Sequence, residues 1–286
     1  MKRLFSTFVL LLVATGGPAV AQQPAGPKTS AKPILLPISD SGQEKRTPEE
    51  GWCGEAAIQM ALTYYGGYAS QKVINRAGKP VHPDLYEGDI AQAISGVGLE
   101  CTAWTGNGLE AFGKWVRSQL AEGHPVLVGA KIYPTEHPEW ALDHFVLAVG
   151  CTEESLTYNT TWGRPQTRTF ARLSTQERGI SFANRFNTYF GQAITGTKVK
   201  PPPGLKPARV IISRDGDKQI KLRVNVEELE RGKRYQLLKF TDLAAAGQAE
   251  AKGEVAQTIV AEGPNWTYEE TIGLDDVRVY RCVPAP

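Results

Sequence analysis

Apolar residues recur at helical spacing in two parts of the chain. After Ala57 they fall at Met60, Ala61 and Tyr64, and the Gly66-Gly67 pair ends this run. The second run covers residues 109–120, where one face would carry Leu109, Phe112, Trp115, Val116 and Leu120. Each pattern predicts an amphipathic helix.

Short apolar or alternating runs predict strands, bounded by polar turns. Before residue 200 these runs are 125–132, 144–150 and 156–162, and they mix with the helical patterns. After residue 208 only strand patterns recur, at 219–226, 235–241, 254–260, 266–272 and 277–282. The fold class is therefore predicted to be α+β, with an antiparallel sheet and an N-terminal helix in a first domain. A small β-sandwich-like domain is expected to follow.

Composition divides the chain into five segments. Residues 1–21 have the form of a signal peptide, because Lys2 and Arg3 precede an apolar run over 4–14 and Ala19-Val20-Ala21 follows. Residues 22–37 are polar and predicted to be a flexible leader. A first domain over 38–198 is followed by a proline-rich linker over 199–208 and a second domain over 209–286.

The signal peptide predicts export, to the periplasm or the extracellular space. Its apolar run is shorter than the roughly 20 residues that a membrane span needs, and no later segment is long enough, so no membrane span is expected in the mature chain. The net charge of +2 gives no reason to expect a nucleic-acid partner.

Four cysteines, at 53, 101, 151 and 282, first suggest two disulfides in an exported protein, and three pairings are open. If Cys53 is a free nucleophile, only one disulfide can form. Because Cys101 and Cys151 lie in the same predicted domain, we expect that pair, with Cys282 unpaired or buried.

Cys53 is the candidate nucleophile because it directly precedes the first predicted helix. Unpaired N–H groups and the helix dipole stabilise an anion at a helix N-terminus, so the pKa of this thiol is expected to be low. The alternative is a buried structural or disulfide-bonded cysteine.

His144 is the candidate base among four histidines. His82 and His137 precede prolines in polar segments and His124 lies in a turn, whereas His144 begins a buried strand. A short hairpin is expected to bring Asn159 back towards the level of His144, where its amide oxygen would orient the imidazole. A core histidine and an ordinary strand-end asparagine are the alternatives.

Three segments together resemble papain-like cysteine peptidases, and among them the bacteriocin-processing (double-glycine leader) peptidases and their stand-alone bacterial relatives. They are the segment from Trp52-Cys53-Gly54-Glu55 through Tyr64-Tyr65-Gly66 to Ser70-Gln71, then Asp143-His144-Phe145-Val146, and finally Tyr158-Asn159-Thr160-Thr161-Trp162-Gly163. The resemblance covers roughly residues 40–198. It implies Cys53 as nucleophile, His144 as general acid and base, and Asn159 as the orienting group.

The chain departs from this family in two places. The family usually has a glutamine about six residues before the nucleophile, whose side chain completes the oxyanion hole with the nucleophile's backbone N–H. Thr47 occupies that position, so Gln43 is the candidate donor beside Cys53, because Glu49 and Glu50 cannot donate when ionised. Glu55 stands where relatives often have proline and adds a negative charge near the thiol.

These residues predict an exported, thiol-dependent peptidase that hydrolyses peptide bonds through a thioester, with a peptide or protein as substrate. No spacing of histidines and cysteines suggests a metal, and no glycine-rich phosphate loop suggests a cofactor. The alternatives are a non-catalytic papain-like scaffold that binds peptides or partner proteins, and an acyl transferase that forms crosslinks. Tyr133, His137 and Trp140 form either one wall of a cleft or a simple connection.

Overall fold

The computed structural model describes residues 32–44, 51–173, 179–183, 188–214, 218–248 and 251–286. The predicted signal peptide and residues 22–31 of the predicted leader lie outside this part of the chain. The molecule combines helices with antiparallel sheets, so the predicted α+β class is confirmed. No helix in these ranges is long and apolar enough to cross a membrane.

Both predicted helices form, and the described residues contain three further α-helices. The helices are α1 (Cys53–Tyr64), α2 (Gln71–Gly78), α3 (Glu87–Gly96), α4 (Leu109–Ala121) and α5 (Leu243–Ala246). Helix α1 ends where Gly66 adopts a φ of +87°. A Cβ atom at Gly66 would lie 2.7 Å from the carbonyl oxygen of Ala208, so glycine is required there by conformation and by space.

The first sheet surrounds the longest apolar strand. Its described strands are β1 (Ile34–Leu35), β3 (Leu99–Ala103), β4 (Val126–Ala130), β5 (His144–Cys151), β6 (Ser155–Asn159), β7 (Pro165–Thr169) and β8 (Gly191–Thr197). The order is β3-β8-β4-β5-β6-β7, and β1 also pairs with β5. Every residue of β5 is buried because α1 and α4 pack against it, which accounts for its unbroken apolar run.

Two further antiparallel sheets share a second core. One has the order β13-β10-β9, from β9 (Arg209–Arg214), β10 (Gln219–Val226) and β13 (Trp266–Gly273). The other has the order β12-β11-β14-β2, from β2 (Gly67–Tyr68), β11 (Arg234–Phe240), β12 (Glu254–Val260) and β14 (Arg278–Pro284). The alternation along β10 buries Ile220, Leu222, Val224 and Val226 in this core.

Strand β2 connects the two regions of the protein. It follows α1 in the chain, yet it pairs with β14, and Tyr68 is buried in the second core. The Tyr68 hydroxyl donates a 2.9 Å hydrogen bond to the Leu274 carbonyl. The described residues between 32 and 286 form one compact unit, and residue 198, where a boundary was expected, lies between β8 and β9.

The end of the predicted leader is structured. Ile34 and Leu35 pair with Cys151 and Gly150, and the Leu36 N–H donates to the Val149 carbonyl at 2.7 Å. Leu36 is buried in the first core. The segment from Ile34 onwards is therefore attached to β5, in contrast to the flexibility expected from its composition.

Candidate active site

Cys53 is the first residue of α1, as the sequence predicts. Trp52 precedes it without a side-chain cap, and the Trp52 indole N–H donates to the Pro83 carbonyl at 2.9 Å. The thiol is free and half-buried. The backbone N–H of Phe145, the residue that directly follows His144, lies close enough to the thiol to favour its ionised form. The fold thus brings the start of α1 to the start of β5.

The electrostatic environment of Cys53 differs from the expectation for a helix N-terminus. Burial raises the pKa of the thiol to about 12, and the negative charges of Glu55 and Asp84 act in the same direction. The N–H groups of Phe145 and Gly54 oppose this shift without reversing it. The predicted low pKa is wrong because the loss of hydration outweighs the helix dipole at this position.

Glu55 is an unusual neighbour for a thiol because it is fully buried. Its Oε1 accepts hydrogen bonds from the Asn75 amide at 2.7 Å and the Leu85 backbone N–H at 3.0 Å. Its Oε2 has no hydrogen-bond partner within the described ranges. Burial raises the pKa of this carboxyl to about 7, so its charge changes near neutral pH.

His144 begins β5 and is almost fully buried. Its Nε2 lies 2.9 Å from the Thr160 carbonyl oxygen and 3.4 Å from the Thr161 hydroxyl. The imidazole also stacks on Trp162, with 4.7 Å between ring centroids. Since a carbonyl oxygen only accepts, Nε2 carries the proton in the neutral ring, and Nδ1 is the basic nitrogen.

Asn159 does not orient His144. In the hairpin, Asn159 lies opposite Leu147, and residues 144 and 147 point to opposite faces of β5. The Asn159 amide donates instead to the Ile38 carbonyl at 3.0 Å and approaches the Met60 sulfur at 3.4 Å. A bulge between Ala148 and Gly150 shifts the register, so the expected partnership is wrong and the Thr160 carbonyl takes that place.

Gln43 reaches the same site. Its Nε2 donates to the Thr161 hydroxyl at 3.1 Å. The same hydroxyl lies 3.4 Å from Nε2 of His144, so Thr161 connects the two side chains. Its Oε1 is buried, without a hydrogen-bond partner in the described part of the chain, and faces the backbone of Gly51. Thr47, Glu49 and Glu50, the other positions considered for the oxyanion hole, lie outside the described residues.

Two residues for which the sequence predicted no role lie in the surroundings of His144. Asp40 accepts backbone hydrogen bonds from Thr160 at 2.8 Å and Thr161 at 3.1 Å. Thr161 has a φ of +66°, a conformation that a β-branched residue rarely adopts. Nothing in the local sequence around Asp40 marks it, because its partners are about 120 residues away in the chain.

A loop held by two charged residues flanks the site. The buried Lys131 ammonium donates to the carbonyls of His137 and Trp140, and the Asp143 carboxylate accepts from the N–H groups of Ile132 and Tyr133. His137 and Trp140 stack at 4.0 Å between centroids. Nearly half of the surface of Tyr133 and of Trp140 is exposed.

The cysteines do not form the expected disulfide. All four, each within the described ranges, are free thiols. Cys101 lies on β3 and Cys151 at the end of β5, and β8 and β4 separate these strands. Three strand spacings amount to about 14 Å, whereas a disulfide requires Cα atoms about 4.4–6.8 Å apart. Cys282 is buried in the second core.

The remaining histidines take no part in this cluster. His82 stacks on Tyr86, and His124 bonds the Gln119 side chain. Within the described ranges, no three histidine, cysteine or acidic side chains gather as a metal site. No protein-family model matches the chain, and no curated protein matches it either.

Proposed function

We propose that this chain is an exported, thiol-dependent peptidase with papain-like organisation. The observation that supports the proposal is that the N-terminal ends of α1 and β5 lie close together. Cys53 is the first residue of α1, His144 is the first residue of β5, and the N–H of Phe145, directly after His144, acts on the Cys53 thiol. The thiol therefore lies near the start of the strand that carries the imidazole, although the two residues are about 90 positions apart in the chain. The export part of the proposal rests on the signal-like residues 1–21.

The raised pKa of Cys53 favours a particular order of proton transfers. At neutral pH the thiol is protonated, so its proton moves to Nδ1 of His144 as the sulfur attacks the substrate carbonyl. The imidazolium then protonates the leaving amine, and the C–N bond breaks to give a thioester. Water attacks the thioester while His144 takes its proton, the acid leaves, and the proton returns to the sulfur.

The oxyanion of the tetrahedral intermediate requires donors near Cys53. The backbone N–H of Cys53 belongs to the first turn of α1, where helix N–H groups lack intrahelical partners. Gln43 is the second candidate, because its amide lies beside Thr161 and Gly51. Loss of one such donor typically costs roughly a hundredfold or more in turnover.

The exposed side chains beside the site suit a peptide or protein substrate. Tyr133 and Trp140 lie on the loop that ends at Asp143, next to His144, and Tyr86 lies on the loop that holds Trp52 through Pro83. Aromatic side chains at the rim of a cleft offer apolar contact area at a low cost in conformational entropy. The proposed chemistry is carried by the chain's own residues, without a metal or cofactor.

One observation favours a second candidate, a papain-like scaffold that binds peptides without cleaving them. Two carboxyl groups, Glu55 and Asp84, raise the pKa of Cys53 in addition to burial. An enzyme that depends on a thiolate gains from positive neighbours, whereas a binding scaffold does not need them.

The two candidates are separated by measuring peptide hydrolysis and iodoacetamide labelling of the purified protein between pH 5 and 10. The peptidase should hydrolyse members of a mixed peptide library, and Cys53→Ala should abolish the activity. His144→Ala should lower turnover by roughly a hundredfold or more, and His82→Ala is the control that should not. Mass spectrometry should place the label on Cys53, with a rate that falls in His144→Ala.

Hydrolysis that survives in Cys53→Ala would overturn the proposed mechanism. Peptide binding without turnover, with Cys53 unreactive at neutral pH in both proteins, would establish the scaffold instead.

A further inference from the structure

Asp40 makes its contacts at one short segment. Its Oδ2 accepts from the Thr160 N–H at 2.8 Å, and its Oδ1 accepts from the Thr161 N–H at 3.1 Å. Both threonines are fully buried, and the carboxylate is half-buried. Two amides of consecutive residues therefore hold both oxygens of one carboxylate, which fixes its orientation.

The segment joins Asp40 to His144 through one peptide group. The Thr160 carbonyl, which accepts from Nε2 of His144 at 2.9 Å, and the Thr161 N–H, which donates to Asp40, belong to the same peptide bond. A peptide group that donates to a negative charge becomes a stronger acceptor at its carbonyl end, because hydrogen bonds in a chain polarise one another. The carboxylate thus strengthens the acceptor that orients the imidazole.

Thr161 shows that this segment does not adopt its conformation by local preference. Its φ of +66° is unfavourable for a β-branched residue and persists only where the surroundings enforce it. Asp40 holds its N–H, and Gln43 donates to its hydroxyl. The residues that enforce the strained conformation thus come from the chain between 40 and 43.

The chain before Asp40 is itself fixed. Leu36 donates to Val149 on β5 at 2.7 Å, and the Ile38 carbonyl accepts from Asn159 at 3.0 Å. Asn159 therefore acts on the site indirectly, by holding the segment that carries Asp40. Asp40 has a defined position relative to β5, as a positioning role requires.

We propose that Asp40 is a positioning residue for His144, acting through the Thr160–Thr161 peptide group, in the orienting role that the sequence suggested for Asn159. The inference rests on the proposed function, since an oriented imidazole matters for acyl transfer. The hydrogen bonds of Asp40 go to Thr160 and Thr161, so its proposed effect on His144 is indirect. It favours the Nε2–H form of the imidazole and stabilises the imidazolium that forms when Cys53 attacks.

The first test uses the unaltered protein and nuclear magnetic resonance. Nitrogen-15 shifts should show Nε2 of His144 protonated and Nδ1 unprotonated in the neutral ring. The amide proton of Thr161 should move as His144 titrates, with the same midpoint, because charging the imidazole polarises the shared peptide group. A proton on Nδ1, or a Thr161 amide that ignores the titration, would overturn the proposal.

The second test compares Asp40→Asn with Asp143→Asn. Asp143 is a matched control, because it is also a half-buried carboxylate that accepts two backbone N–H groups, and it directly precedes His144. Loss of the Asp40 charge should lower the pKa of His144 by on the order of one unit, since a nearby negative charge favours the imidazolium. Asp143→Asn should shift it less.

Equal shifts in the two variants would mean that charge near His144 acts through space, which would contradict a role for the peptide group. If Asp40→Asn does not fold, the Thr161 titration in the unaltered protein decides. Neither measurement requires hydrolysis. A protein that cleaves no peptide while Thr161 still follows His144 would overturn the proposed peptidase and leave the positioning of His144 by Asp40 standing.

Discussion

Cys53 and Glu55 lie in the first turn of α1, and burial acts on both in the same direction. It favours the neutral thiol and the neutral carboxylic acid, because each loses the hydration of its charged form. The two groups also oppose each other's ionisation, since both would become anions. A change of charge at Glu55 therefore alters both the stability of the fold and the readiness of the thiol to ionise.

The effect of Glu55 on stability should depend on pH. Its pKa is about 7 in the folded protein and 4.5 ordinarily, so the folded state binds the proton more tightly. The resulting stabilisation is fully present below about pH 4.5 and is lost as the pH rises to about 7. A shift from 4.5 to about 7 corresponds to on the order of 3 kcal/mol in the free energy of unfolding.

Glu55→Gln should remove this dependence. Between pH 4.5 and pH 8, the variant should therefore lose less stability than the unaltered protein. Urea unfolding at several pH values measures the difference. Glu110→Gln is the control, because the ion pair with Lys114 lowers the pKa of this exposed carboxyl, so its effect on the profile should be confined to pH values below the window in which Glu55 titrates. Parallel profiles for the Glu55 variant and the unaltered protein would show that this carboxyl does not titrate as described.

At the scale of elements, Lys131 holds the loop between β4 and β5 in one conformation. The ammonium group donates to the carbonyls of His137 and Trp140 from a buried position. Without the ammonium group, these two carbonyls would need water as their hydrogen-bond donor. The lysine therefore determines how Tyr133 and Trp140 are presented beside His144.

Lys131→Met should release this loop while keeping the volume of the side chain. Two carbonyls lose their donor, so the free energy of unfolding should fall by about 1–3 kcal/mol. Hydrogen exchange measured by mass spectrometry should be faster in a peptide that spans residues 131–143. Lys114→Met, which changes an exposed lysine on α4, should alter neither quantity. Unchanged exchange in the Lys131 variant would mean that the loop keeps its order by other contacts.

Elements with a strong repeat could be predicted from the sequence, and those set by their partners could not. The apolar face of α4 and the continuous run of β5 each contain enough residues to reveal the element. Strands β1 and β2 have two residues each and exist only because β5 and β14 lie beside them. The position of Asn159 depends on a bulge near Ala148, which the hydrophobic pattern does not reveal.

The same distinction applies to the candidate site. The places of Cys53 and His144 at the starts of α1 and β5 could be predicted, because the pattern of each element is visible in the sequence. Asp40 and Thr161 could not, since their roles depend on hydrogen bonds between distant segments. The pKa of Cys53 was also beyond prediction, as burial is a property of the folded protein.

At the scale of the whole molecule, two cores are joined through the turn after α1. Gly66 accepts a hydrogen bond from the Tyr280 N–H at 2.8 Å, and Tyr68 fills a place in the second core. Helix α1, which begins at Cys53, therefore ends at a strand of the other sheet. Disruption of that sheet should therefore also disturb the candidate site, because α1 connects the two regions.

Tyr68→Ala should destabilise the entire described unit in a single step. Loss of a buried aromatic side chain typically costs about 3–5 kcal/mol. Alkylation of Cys53 and far-ultraviolet circular dichroism, followed together through a urea titration, should show coincident transitions in the variant and in the unaltered protein. Tyr133→Ala, at an exposed position, is the control. Exposure of Cys53 at a urea concentration clearly different from loss of the strand signal would show that the two regions unfold separately.

The pairing of β2 with β14 also bears on how the protein is made. Tyr68 leaves the ribosome 210 residues before Arg278, its partner in the sheet. At a synthesis rate of about 5–20 residues per second, this interval lasts roughly 10–40 s. During that time the segment after α1 has no strand to pair with, and its apolar side chain has no core to enter. Nascent chains therefore carry helix α1 long before they can complete the structure around it.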